Sequence, residues 1–113
     1  MVPMVEPEVL MDGAHSIDDC YDATSRCLES LFSNLTDRGV DITGTILKPN
    51  MVTTGSNASN QASIEEVAKR TVDCLKANVP DSLPGITFLS GGQSDVDATA
   101  HLDAMNKIGG FNW

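Results

Sequence analysis

The chain has 113 residues, which allows one small domain able to bury roughly two-thirds of the surface its unfolded chain exposes. It is 41% hydrophobic, 20% charged and 4% aromatic, so a core must rest on Leu, Ile, Val, Ala and Met. A formal net charge of −9 argues against nucleic acid or an anionic membrane as the main partner, because both are bound through excess Lys and Arg.

Three apolar runs alternate with three amphipathic ones. The first, about Val2 to Glu6, reads as a strand. From Ser16, the positions Ile17, Cys20, Tyr21, Thr24, Leu28, Leu31, Phe32 and Leu35 advance in steps of three and four, and Gly39 supplies a stop just after Arg38. A second strand spans about Ile42 to Lys48, and Thr53 to Gln61 reads as a surface loop. Ser63 and Glu66 have the spacing of a capping box, followed by an apolar stripe to about Asn78 and a stop at Pro80. The third strand is predicted at Ile86 to Ser90. A third helix follows Ser94, with Asp95 and Asp97 in its first turn, and runs through Ala98, Leu102 and Met105 to Gly109-Gly110. Runs apolar nearly throughout predict strands buried on both faces, as in parallel sheets.

Cys20, Cys27 and Cys74 are odd in number, lie in predicted helices and lack CxxC spacing or a nearby histidine cluster. They predict small buried thiols in a reducing compartment, with neither a disulfide scaffold nor a metal site. His15 and His101 stand isolated. No run approaches the apolar length of a membrane span and the start lacks a signal peptide, so the expected localisation is cytoplasmic.

Polar residues close each strand. Lys48 ends the second and is stopped at once by Pro49. An amine held in apolar surroundings tends to lose its proton, and the neutral amine is the form that makes a Schiff base. The alternative is a strand-end lysine whose head reaches water along its stem. Glu6 and Glu8 close the first strand on one face, as residues two apart do, and are either proton carriers or a solvated rim. Ser90-Gly91-Gly92 closes the third, where glycines and a hydroxyl suit a phosphate or an ordinary tight turn. Lys48 lies 42 residues after Glu6 and 42 before Ser90, a period that fits one strand, one helix and their loops. All three clusters thus fall at the C-terminal ends of successive strands, the face on which β/α barrels do chemistry.

The segments VPMVEPEVL, GTILKPNMVT and FLSGGQS, in this order and spacing, resemble class I fructose-bisphosphate aldolase, as do the residues from Ser63 to Lys76 and HLDAMNKIGG. The resemblance implies a fold class of α/β: three β-α units with parallel strands, the fifth to seventh of a (β/α)₈ TIM barrel, with residues 1–113 a single segment of one barrel domain. It implies cleavage of fructose 1,6-bisphosphate to dihydroxyacetone phosphate and glyceraldehyde 3-phosphate through a lysine Schiff base, in glycolysis and gluconeogenesis, with no metal and no cofactor. It assigns Lys48 as the nucleophile, Glu6 as the acid/base, Glu8 as a neighbour tuning the lysine, and Ser90 and Gly91 as phosphate ligands. It further implies a homotetrameric parent whose partner is a phosphorylated sugar.

A barrel of this type needs roughly 250 residues, so an internal fragment is expected, inactive alone. The family's further aspartate, lysine and arginine and its C-terminal tyrosine have no counterpart in these residues. Thr54 stands where a proline is usual, and the approach to Trp113 through Gly110, Phe111 and Asn112 also departs. The alternatives are another Schiff-base aldolase on the same barrel, or a catalytically silent product acting only as an interaction segment.

Overall fold

Alternation of short strands with capped helices produces a β-α-β-α-β-α order in the computed structural model, which describes residues 1–110 and 113. The elements are β1 (Met4–Val5), α1 (Ile17–Asp37), a 3₁₀ turn (Ile42–Gly44), β2 (Ile46–Leu47), α2 (Ile64–Asn78), β3 (Gly85–Ile86) and α3 (Asp95–Ile108). The strands form one parallel sheet in the order β1-β2-β3, with Met4 opposite Ile46 and Leu47 opposite Ile86. Helices α1 and α2 each carry the chain from one strand to its immediate neighbour, the progression of an α/β barrel. The departure at Phe111 and Asn112 lies outside the described residues.

The paired strands are shorter than the apolar runs predict, and the cause is local. Ahead of β2, the Asp41 carboxylate accepts from Thr43 N–H at 3.0 Å and from its hydroxyl at 2.7 Å, winding Ile42–Gly44 into a turn. Those bonds also hold the Asp41 carboxyl below its ordinary range, the Thr43 side chain contributing most. Beyond the strands, single hydrogen bonds continue the ladder: Lys48 N–H to Val5 O at 2.8 Å, Thr87 N–H to Leu47 O at 2.9 Å and Leu89 N–H to Pro49 O at 3.1 Å.

A serine starts every helix. Ser16 accepts from Asp19 N–H at 3.1 Å while the Asp19 carboxylate accepts from Ser16 N–H at 3.0 Å, a complete reciprocal cap. At α2 the predicted box is half formed: Ser63 accepts from Glu66 N–H at 3.1 Å, without the return bond. Ser94 caps α3 through Asp97 N–H at 3.1 Å. Helix α1 ends at Arg38, and Gly39 takes the left-handed φ of 68° that a side chain would resist.

Helix α1 packs on α2 and α2 on α3, all against the sheet, around Leu28, Leu47, Val72, Leu75 and Met105. Burial of the strands is therefore one-sided where two-sided burial was expected: Met4 is 51% exposed, because the helices cover one face only. Cys20 and Cys74 are buried free thiols, and burial pushes the Cys74 thiol up. Cys27 corrects the expectation of buried thiols; it lies on the exposed side of α1. Among the described residues no helix is long and apolar enough to cross a membrane.

The predicted surface loop after β2 is buried at its start. Thr53, Thr54 and Gly55 lie under the β1-α1 loop, and three backbone bonds fasten the two: Gly55 N–H to His15 O at 2.9 Å, Ser56 N–H to Met11 O at 2.7 Å and Asn57 N–H to Gly13 O at 2.8 Å. Gln61 folds the remainder back by donating to Gly55 O and Ala58 O, both at 3.0 Å. The approach requires glycine, since a Cβ on Gly55 would lie 2.4 Å from Gly13 O. Gly55→Ala should therefore push the loops apart and destabilise the chain by about 1–3 kcal/mol, read as a lower urea midpoint.

Candidate active site

Proline chemistry decides where the strand ends open. Pro7 carries no N–H, so the β1-β2 ladder has no donor at that position, and the side chains of Glu6, Glu8 and Lys48 cluster where it stops. Lys48 Nζ donates to Glu6 Oε1 at 2.9 Å, with side-chain exposures of 33% and 50%. Exposed pairs of this kind contribute about 0–1 kcal/mol, so the contact matters for what it places together more than for stability.

Glu8 points elsewhere than Glu6. Glu6 is the carboxylate that pairs with Lys48; Glu8 Oε1 instead lies 3.8 Å from where a Cβ of Gly91 would be, reaching across toward the loop after β3. Gly91 and Gly92 have φ of 62° and 94°, and Leu89 Cδ1 sits 3.2 Å from the same Cβ position, so only glycine fits Gly91. Ser90 is exposed; its carbonyl accepts from Gln93 N–H at 3.1 Å and Gln93 Nε2 at 3.0 Å, closing the turn into the N-terminus of α3. Loops after three consecutive strands thus converge on one open edge bearing an amine, two carboxylates, a hydroxyl and a glycine turn.

Three residues to which the sequence reading gave no role support this edge. Asn50 is 5% exposed and its side-chain amide joins the two loops and α1. Gln93 Oε1 meets His101 Nδ1 at 2.6 Å, and burial lowers the His101 ring below its ordinary range while Asp97 partly offsets this. Thr71 accepts from Val52 N–H at 2.9 Å and donates to Val67 O at 2.7 Å, anchoring the start of the β2-α2 loop to α2. A polar residue just after a strand-ending proline, inside an otherwise apolar segment, is the signal that points to Asn50. Among the described residues no group of three His, Cys, Asp or Glu is placed to hold a metal ion.

Comparison with known proteins meets this geometry. The family model described as glycolytic, fructose-bisphosphate aldolase class-I, matches residues 1–113. A probable class 1 fructose-bisphosphate aldolase of Xanthomonas axonopodis pv. citri is 56% identical over 113 residues, all of this chain and 34% of the relative. The cytosolic fructose-bisphosphate aldolase 4 of Arabidopsis thaliana is 46% identical over 110 residues, 97% of this chain and 28% of the relative. A co-crystal structure of fructose-bisphosphate aldolase from Plasmodium falciparum, in complex with TRAP and a small molecule inhibitor, superposes with a TM-score of 0.96 at 43% identity. That match covers 100% of this chain and 33% of the other. The chain spans about a third of the length of these relatives, and its three parallel β-α units are part of a (β/α)₈ barrel. By the full-length family match and the barrel geometry together, this chain belongs to the class I fructose-bisphosphate aldolases.

Proposed function

We propose that residues 1–113 are one segment of a single aldolase barrel domain and contribute the Schiff-base centre for reversible cleavage of fructose 1,6-bisphosphate. The 2.9 Å contact between Lys48 Nζ and Glu6 Oε1 carries this reading, because it joins a nucleophile to a proton carrier at adjoining strand ends. Lys48 passes a proton to Glu6, and the freed amine adds to the ketone carbon of the open-chain sugar. The added nitrogen passes one proton to the carbonyl oxygen, which becomes a hydroxyl; Glu6 protonates that hydroxyl, which leaves as water and generates a protonated imine. Glu6, now a carboxylate, accepts the proton of the C4 hydroxyl as the C3–C4 bond breaks, and the bond's electron pair flows into the imine. Glyceraldehyde 3-phosphate departs, and protonation and hydrolysis of the remaining enamine release dihydroxyacetone phosphate.

Ser90 and Gly91 are proposed to hold the sugar phosphate next to the ketone, through a hydroxyl and a backbone N–H in the turn that leads into α3. Glu8, directed toward Gly91, keeps negative charge close to the amine without sharing its hydrogen bond. The homotetrameric parent, the cytoplasmic setting and a place in glycolysis and gluconeogenesis belong to the same reading. A second reading, in which the isolated chain is catalytically silent and acts by docking, is favoured by the uncovered sheet face carrying Met4 and Lys48.

A chimera that carries residues 1–113 in place of the matched segment of the Xanthomonas relative separates the two. Incubated with dihydroxyacetone phosphate and borohydride, the chimera should gain an adduct at Lys48 located by mass spectrometry, while the isolated chain gains little. Labelling of a different lysine in an active chimera would sink the assignment. Glu6→Gln should slow turnover of the chimera about 10²–10⁴-fold, the usual contribution of a positioned acid/base. A chelator should leave its rate unchanged; loss of activity restored by zinc would point to metal-assisted chemistry instead.

A further inference from the structure

We infer that Asn50 is a positioning residue for this site: its buried amide replaces the ladder that Pro7 interrupts, fixing the strand end of Glu6 and Glu8 against that of Lys48. The inference rests on the aldolase reading above and adds to it a residue that touches no substrate. Between β1 and β2, Ile46 N–H donates to Pro3 O at 3.0 Å and Lys48 N–H to Val5 O at 2.8 Å. A parallel ladder proceeds in steps of two, so its next donor would be Pro7, which has none. Two residues on, Val9 N–H would turn to the Asn50 carbonyl. It donates to Asn50 Oδ1 instead, at 3.0 Å, so the side chain takes the place of its own backbone oxygen.

The amide cannot turn over. Val9 N–H only donates and Met51 O only accepts, so Oδ1 must face Val9 and Nδ2 must face Met51 O, at 3.1 Å. Nδ2 also donates to Thr24 Oγ1 at 3.1 Å, tying the clamp to α1 at a residue 2% exposed. On the other side of β2 no such device is needed. There the backbone ladder runs on through Leu89 N–H to Pro49 O at 3.1 Å. Removal of the Asn50 amide therefore loosens the glutamates relative to Lys48 while Ser90 and Gly91 stay held.

The test uses the chimera for kinetics and the 113-residue chain for structure. Asn50→Leu, which keeps the branched shape and deletes the amide, should slow imine formation about 10²-fold per folded molecule, the cost of a displacement near 1 Å. Because Glu6 then exchanges its proton with Lys48 poorly, part of the rate should return as external buffer base is raised. Asn50→Asp, which retains an acceptor for Val9 N–H, should recover much of the loss. Val72→Ala, a core truncation on α2, should lower thermal stability yet leave the rate per folded molecule and its buffer response unchanged. In the isolated chain, Val9 N–H should exchange its hydrogen faster in Asn50→Leu than in the unmutated sequence. An Asn50→Leu chimera with the unmutated rate per folded molecule, or one indifferent to buffer base, overturns the positioning role and leaves the aldolase reading standing. An unmutated chimera with no adduct at Lys48 overturns both.

Discussion

A parallel sheet is held together by backbone donors at regular intervals, and between its first two strands this one loses a donor at Pro7. The arrangement of the open edge depends on that gap. Paired backbone cannot continue past it, so the chain there is free to present side chains to the open end of the sheet. The same gap would leave the two ends free to splay, were it not for the buried asparagine that bridges them. Rigidity and openness are supplied at one place by different atoms: side-chain amides hold the backbone, while lysine and glutamate face outward.

The helices explain why the open end faces in one direction. Three serine-capped helices lie side by side on one face of the sheet and bury a continuous core of Leu, Val and Met. The other face keeps Met4 and Lys48 partly in solvent. In a closed barrel such a face is interior, and the relatives of which this chain spans about a third have further length with which to cover it.

Much of this was legible in the residues. Serines before acidic first turns located the second and third helix starts, because a cap is a local contract between residues three apart, while apolar periodicity from Ser16 located the first. The 42-residue repeat placed Lys48 opposite Glu6, and it could do so because in a parallel sheet equal spacing becomes lateral adjacency. Strand length was less legible, since apolar content says nothing of which residues find a partner; Asp41 bends what Ile42 alone would extend. The polar stretch Thr53 to Gln61 read as exposed although its first residues are buried, because carbonyls of Met11, Gly13 and His15 satisfy it from a distance in sequence. His101 looked isolated for the same reason: its partner Gln93 stands in the preceding turn, eight positions earlier. Asn50 lay inside a motif that drew attention to the lysine, and its role depends on a donor missing at Pro7, far from it in sequence.

The contact of Gly55 with Gly13 limits how the protein can vary. Two loops that bury each other's backbone are not independent in length: one residue inserted between positions 10 and 16 would carry Met11 O, Gly13 O or His15 O out of step with its donor. Length changes in the first loop are thus tolerable only with a matching change in the second. The turn at 80–82, exposed at 81 and 82 and closed by one bond from Leu83 N–H to Pro80 O, carries no such obligation. Length variation in this segment should accumulate there, behind the helices and away from the strand ends that hold the lysine.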